Sequence, residues 1–147
     1  MSNDLKMVRI EIYIHTQTYS HQDLDYLEVL IYSIILNKDK DTEVNISYKF
    51  DRPIAKWLTN YGSKHNAKIN RLNSRKEIPH NDKLICLMYK SLVLRDLTEL
   101  YQIKLTPEKP VACSYKLFDD FIKAPSEVEL YNFPSVILDK VFLGCYT

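Results

Sequence analysis

Leu84-Ile-Cys-Leu-Met88 is a short, unbroken apolar run. Too short for a helix and without alternation, it reads as a strand covered on both faces, which places it centrally in a mostly parallel sheet. Two upstream segments alternate instead. Val8, Ile10, Ile12 and Ile14 are interleaved with Arg9, Glu11 and Tyr13, and Val44, Ile46, Tyr48 and Phe50 repeat the pattern. The first predicts a strand with one buried face. Between the two lies room for a helix, so the order is β-α-β with parallel strands. That helix runs from an N-cap at Asp23 to about Asn37, with Leu24, Leu27, Leu30, Ile31, Ile34 and Ile35 on one wide face. Val29 and Leu36 fall on the other side, as incidental surface residues or as a second contact with another element or partner.

Further along, Pro53 suits the first turn of a second helix through Trp57 and Leu58 that stops at Gly62. Lys68–Leu72 predicts a third strand, Leu92–Leu94 an extended stretch, and Asp96–Tyr101 a short capped helix. Val111–Tyr115 and Val136–Leu143 complete the expected strands. No repeat, linker or low-complexity tract divides the chain. The expectation is one α/β domain over residues 1–147, a mostly parallel central sheet with flanking helices.

Composition narrows function more than fold. The 147 residues carry 20 basic and 19 acidic side chains, a formal charge of +1, which removes the long-range attraction that non-specific nucleic-acid or anionic-membrane binding relies on. No nucleic-acid partner is expected, although a local basic patch stays open. Only Gly62 and Gly144 are glycines, where ordinary usage of about 7% would give roughly ten. A glycine-rich phosphate loop is excluded. Cys86, Cys113 and Cys145 are widely spaced and odd in number, which argues against a disulfide framework or zinc site and for a reducing compartment. The N-terminal residues lack a secretory signal and no segment is long enough to span a membrane. A cytoplasmic protein is expected. Its wealth of Lys, Ile, Asn and Tyr suggests an AT-rich genome, viral or parasitic.

Chemistry is hard to find in the residues alone. His15, His21, His65 and His80 share no metal-ligand spacing and read mostly as solvated loop residues. His15 ends the first strand, where open α/β sheets bind ligands, yet a structural or exposed role is the better reading. Asp119-Asp120 is an adjacent acid pair of the kind that can hold a divalent cation, but a solvated turn explains it more simply. No serine sits in a nucleophile elbow and no cysteine has an evident activating base.

Asp82-Lys-Leu-Ile-Cys-Leu-Met-Tyr-Lys-Ser-Leu-Val-Leu-Arg-Asp-Leu97 resembles a stretch of the A-type nucleotide-sugar glycosyltransferases, in the family that includes glycogenin and bacterial lipopolysaccharide galactosyltransferases. Their pattern is D-K-V-L-Y-L-D-x-D-x-L-V-L-x-D-L. Thr98–Leu105, Pro110–Cys113 and the Ser33-Ile-Ile-Leu-Asn37 ending of the first helix are similar to further family segments, so the likeness runs from Val8 to Asp120. It implies a nucleotide-diphospho-sugar transferase fold. In that family the two acids of D-x-D hold a manganese ion that bridges the donor diphosphate and stabilises its departure, work that needs hard oxygen ligands.

The matching positions here are Met88 and Lys90. A thioether is a poor ligand for a hard cation and an ammonium repels one. The family's histidine ligand, in a C-terminal glycine- and proline-rich motif, has no match before Thr147, and only Asn73–Asn81 stands where the family has a donor-side helix. Tyr131–Val136 is a weak echo of the acceptor segment, with Pro134 unable to donate a backbone hydrogen bond. These departures imply a truncated, catalytically degenerate domain, with no manganese or other cofactor and no catalytic residue. It would act as a binding or structural protein, through an unknown protein partner or self-association, in an assembly encoded by a virus. The alternative is a metal-independent transferase in which Lys90 stabilises the diphosphate of a sugar nucleotide. Tyr19 would then stack on the base and Arg95 would add charge; as ordinary residues, both are surface side chains.

Overall fold

A computed structural model describes residues 8–16, 18–78, 83–102, 104, 111–113 and 141–145. The elements are β1 (Val8–His15), α1 (His21–Asn37), β2 (Thr42–Lys49), α2 (Lys56–Lys64), β3 (Ala67–Leu72), a 3-10 turn (Arg75–Glu77), β4 (Lys83–Met88), α3 (Thr98–Tyr101), β5 (Val111–Cys113) and β6 (Val141–Cys145). The strands form one sheet in the order β3-β2-β1-β4-β6-β5. Every pairing is parallel. No helix among the described residues is long and apolar enough to cross a membrane.

One sheet face carries Ile10, Ile12 and Ile14 of β1, Val44, Ile46 and Tyr48 of β2, and Ile85 and Leu87 of β4. Leu27, Leu30, Ile31, Ile34 and Ile35 of α1 and Leu58 of α2 pack on it, which places both helices on the same side. The other face holds Tyr13, Leu72, Ile78, Leu84 and Cys86. β4 is therefore central and covered on both faces, as its unbroken apolar run predicts. Cys86 lies free and buried on the second face, where loss of solvation pushes its thiol pKa up.

β1 departs from the expected one-sided strand, because Glu11 and Tyr13 are buried as well. An interior strand of a parallel sheet has no solvent face. The Glu11 carboxylate is accommodated by Arg9, 3.1 Å away, and by the Asn45 amide, which donates to it at 2.6 Å. Asn70 in turn donates to Asn45 at 2.8 Å, so a polar ladder crosses β1, β2 and β3.

Four helix ends differ from expectation. α1 is capped by Ser20: the Asp23 amide donates to the Ser20 hydroxyl and the Ser20 amide to the Asp23 carboxylate, a capping box with Asp23 at the third helical position. α2 begins at Lys56, three residues beyond Pro53, after loop contacts that fix the approach to it. Ile54 donates its amide to the Tyr48 hydroxyl and Ala55 to the Glu28 carboxylate. Gly62 lies inside α2, where a Cβ would stand 2.8 Å from the Ala67 carbonyl oxygen and 3.0 Å from Ile69 Cδ1. Close helix-to-strand packing requires this glycine; the left-handed turn after the helix falls to Asn66, at φ 57°. Leu92–Leu94 forms no strand, and α3 starts at Thr98, although the Asp96 carboxylate does accept the Thr98 amide at 3.1 Å.

Gly62→Val should lower unfolding stability by about 1–3 kcal/mol through overpacking against backbone that has little room to retreat. Chemical denaturation monitored by circular dichroism measures it.

Candidate functional site

β1, α1, β2, α2 and β3 progress toward one edge of the sheet, and the chain then returns to lay β4 on the opposite side of β1. The connections leaving β1 and β4 both start at the same end of the sheet. A crevice at the carboxyl ends of these two strands is where open α/β sheets place their ligands.

His15 and Met88 end the two strands and are paired in register. The Tyr89 amide donates to the His15 carbonyl at 3.1 Å, carrying the pairing one residue further, and the Ser91 amide donates to the Met88 carbonyl at 3.0 Å, turning the chain away. Both side chains are half-buried. His15 ends β1, as its place in the sequence implies; His65 is an exposed turn residue at the C-cap of α2, in keeping with a solvated loop, while His21 is the first residue of α1, which corrects the loop reading for it.

Tyr19 and Lys90 flank the crevice and are engaged with different elements. The exposed Tyr19 ring meets Phe50 edge-on at 5.0 Å, just past β2, and the Arg52 guanidinium lies 5.1 Å from the Phe50 ring centre. Lys90 is exposed, with its ammonium 5.7 Å from the Tyr26 ring centre and 5.6 Å from that of Tyr89. Arg95 is exposed too. His80, Asp82, Asp119, Asp120 and Tyr131–Val136 lie outside the described residues.

Asp23 is the residue of this region that sequence patterning misplaces. Its carboxylate accepts from the Thr18 hydroxyl, the Ser20 amide and the Tyr89 hydroxyl, so it joins the β1–α1 loop to the segment leaving β4. The Thr18 hydrogen bond is the main reason its pKa falls below the ordinary value; burial opposes the shift, and bonds from Ser20 and Tyr89 reinforce it. The Ser20-x-x-Asp23 spacing is the signal that could have revealed the box. On the β2 side, the Thr16 hydroxyl donates to the Lys49 carbonyl at 2.5 Å and Arg71 to the Phe50 carbonyl at 3.3 Å. These bonds tie the loops at the carboxyl ends of β1 and β2.

The side chains do not fit a manganese ion. Met88 offers sulfur, Lys90 offers a cation, and Asp23 has its lone pairs occupied by hydroxyl and amide donors. Among the described residues, no group of three or more His, Cys, Asp and Glu side chains could hold a metal ion.

The fold is similar to that of a solved structure described as the WbbM bifunctional glycosyltransferase in its apo form. The match has a TM-score of 0.62 at 17% sequence identity and covers 84% of this chain and 26% of that one. No protein-family model and no curated protein matches the chain by sequence. The chain therefore has a glycosyltransferase-like α/β fold and spans about a quarter of that neighbour's length.

Asp23→Asn tests the carboxylate's role. A depressed folded-state pKa means that the ionised group stabilises the fold above its unfolded value, near 3.8, and that this contribution is lost as pH falls through the lower folded value. Denaturation curves collected from pH 7 down to pH 2 should show a shallower acid loss in the variant than in the parent.

Proposed function

We propose that this glycosyltransferase-like domain does not carry out metal-dependent sugar transfer and acts as a binding or assembly protein. The observation that carries the reading is the chemistry at the tip of β4: Met88 and Lys90 occupy the positions that correspond, in the resemblance, to the two metal-holding acids. Neither the end of β1 nor the start of α1 supplies a substitute. His15, opposite Met88, offers an imidazole and no carboxylate, and Asp23 is committed to the capping box and to Tyr89. A cytoplasmic setting, in a virus-infected cell, belongs to the same proposal and is drawn from composition.

One observation favours a second reading, metal-independent transfer from a sugar nucleotide. Lys90 is exposed beside the crevice, and two tyrosine rings help to hold its ammonium in place through cation–π attraction. A fixed cation of this kind can stabilise a departing diphosphate. Tyr19, exposed at the end of the first loop, would carry the base in that case.

A thermal-shift panel of uridine and guanosine diphosphate sugars, each with and without manganese, separates these readings. The first expects no manganese-dependent stabilisation, and a gain of several degrees that requires the ion would overturn it. The second expects slow sugar-nucleotide hydrolysis in chelator that disappears in Lys90→Ala; parent protein inert under those conditions would refute it.

A further inference from the structure

The near-neutral total charge conceals a segregation along the chain. Residues 52–76 carry 7 basic and no acidic side chains, which leaves 13 basic against 19 acidic in the rest of the sequence. That stretch forms one edge of the sheet: the approach to α2, α2 itself, the edge strand β3 and the start of the 3-10 turn. Lys56, Lys64, Lys68 and Arg71 are exposed, and among the described residues none of them forms an ion pair with a carboxylate. Aromatic rings interleave with this charge. Trp57, Tyr61 and Lys64 stand at positions i, i+4 and i+7 of α2, along one side of the helix. Trp57 is 58% exposed, and its ring lies 6.0 Å from that of Tyr32 on α1. Tyr32 stacks on Tyr61 at 5.3 Å, and Tyr61 meets the exposed His65 ring at 4.6 Å. A row of four rings therefore follows α2 from its first turn to its C-cap, with a lysine at each end of the helix.

We infer that this edge binds single-stranded nucleic acid, with phosphates toward Lys56 and Lys64 and bases on the row that begins at Trp57. Two features together select the occupant. Unpaired cations on an acid-free edge complement a polyanion, and Lys68 and Arg71 add to the field that draws it in. An acidic polypeptide satisfies that charge but has no need of exposed rings, whereas unpaired bases stack on them. A duplex keeps its bases stacked on one another and out of reach. Lys56 and Lys64 lie about 12 Å apart along the helix, room for roughly three or four nucleotides at about 3.4 Å per base. Toward α1 the row is bordered by Val29 and Leu36, one turn to either side of Tyr32, and the Glu28 carboxylate is taken up by the Ala55 amide at 2.7 Å. A formal charge of +1 argues against such a partner only where charge is spread evenly, and here the fold gathers it at one edge. The inference rests on α2 and β3, on none of the crevice residues, and holds under either reading of the crevice.

Trp57 is the sole tryptophan of the chain, so its fluorescence reports on a base placed against it. Titrating the full chain with thymidylate and uridylate oligomers of about 12 nucleotides, at about 50 mM salt, should quench that emission; quenching by either oligomer supports the inference. Raising the salt to about 200 mM should weaken binding roughly tenfold, the response to two or three phosphate contacts on a single strand. Lys64→Ala should weaken binding about threefold to tenfold and flatten the salt dependence by about one contact. Trp57→Ala, followed by the anisotropy of a labelled oligomer, should weaken it roughly tenfold and leave the salt dependence unchanged. Both variants should keep the circular dichroism spectrum and melting temperature of the parent. Absence of binding at the lower salt overturns the inference. Equal binding of a polyglutamate peptide or of the matching duplex overturns it too, as does binding indifferent to both substitutions. None of these mixtures contains manganese or a sugar nucleotide, so failure here is distinguishable from failure of the non-catalytic reading.

Discussion

The double pairing of β1 organises this molecule. β1 lies in parallel register with β2 along Val8–Ile14 and with β4 along Ile12–His15, and it is buried on both faces. Parallel neighbours cannot be joined by a tight turn, so each connection must travel back across the sheet. α1 and α2 make the first two returns over one face. Laying β4 against the remaining edge of β1 then creates the single boundary between the two directions of winding in this part of the sheet, and the crevice follows from that order. A polar residue within β1 must accordingly be satisfied inside the protein, as Glu11 is by Arg9 and Asn45.

The segments that resemble a glycosyltransferase family turn out to be joined in space. The Ser33 hydroxyl accepts the Val93 amide at 3.0 Å, and the Asn37 amide group donates to the Val93 carbonyl at 2.8 Å. The end of α1 thus holds the segment leaving β4 by both of its backbone groups at one residue. Asp96 adds a second tie, accepting the Asp39 amide at 2.9 Å and the Thr98 amide at 3.1 Å. Tyr101 and Lys83 close the arrangement, each donating to the other's carbonyl. These hydrogen bonds hold the scaffold together. Their geometry can persist while Met88 and Lys90 stand where the family pattern has acids, because none of these hydrogen bonds requires a carboxylate at either position.

Much of the sheet was legible because hydrophobic periodicity reports burial directly: β2, β3 and β4 and the inner face of α1 lie where the pattern puts them. Burial of Glu11 was not legible, since its compensation comes from Asn45, 34 residues away, and no local pattern encodes a cross-strand partner. Gly62 was misread for a related reason. A glycine near a helix end resembles a stop, whereas its actual constraint is the approach of β3. At the crevice, the sequence identifies Met88, Lys90 and Tyr19 individually, but their engagement with Tyr26, Tyr89 and Phe50 depends on three different elements meeting. The Leu92–Leu94 stretch reads as extended; its backbone is satisfied in part by α1 side chains at Val93, which leaves that residue no need of a neighbouring strand.

On the proposed reading, the electrostatic consequence at the crevice is a difference of sign from an acid-pair site. An acid pair at a strand tip creates negative potential that a divalent cation neutralises, and only through that cation does such a site attract a diphosphate. Here the Asp23 carboxylate is held by Thr18, Ser20 and Tyr89, while Lys90 is exposed beside it and Arg52 leans on Phe50 across the first loop. Without an acid at position 88 or 90, a cation entering from solvent gains no compensating ligands for the water it would lose. The same replacement removes the repulsion that unscreened carboxylates would exert on an anion. On the proposed reading, a ligand at this rim would be recognised through ammonium, guanidinium and aromatic surface instead of through a shared ion.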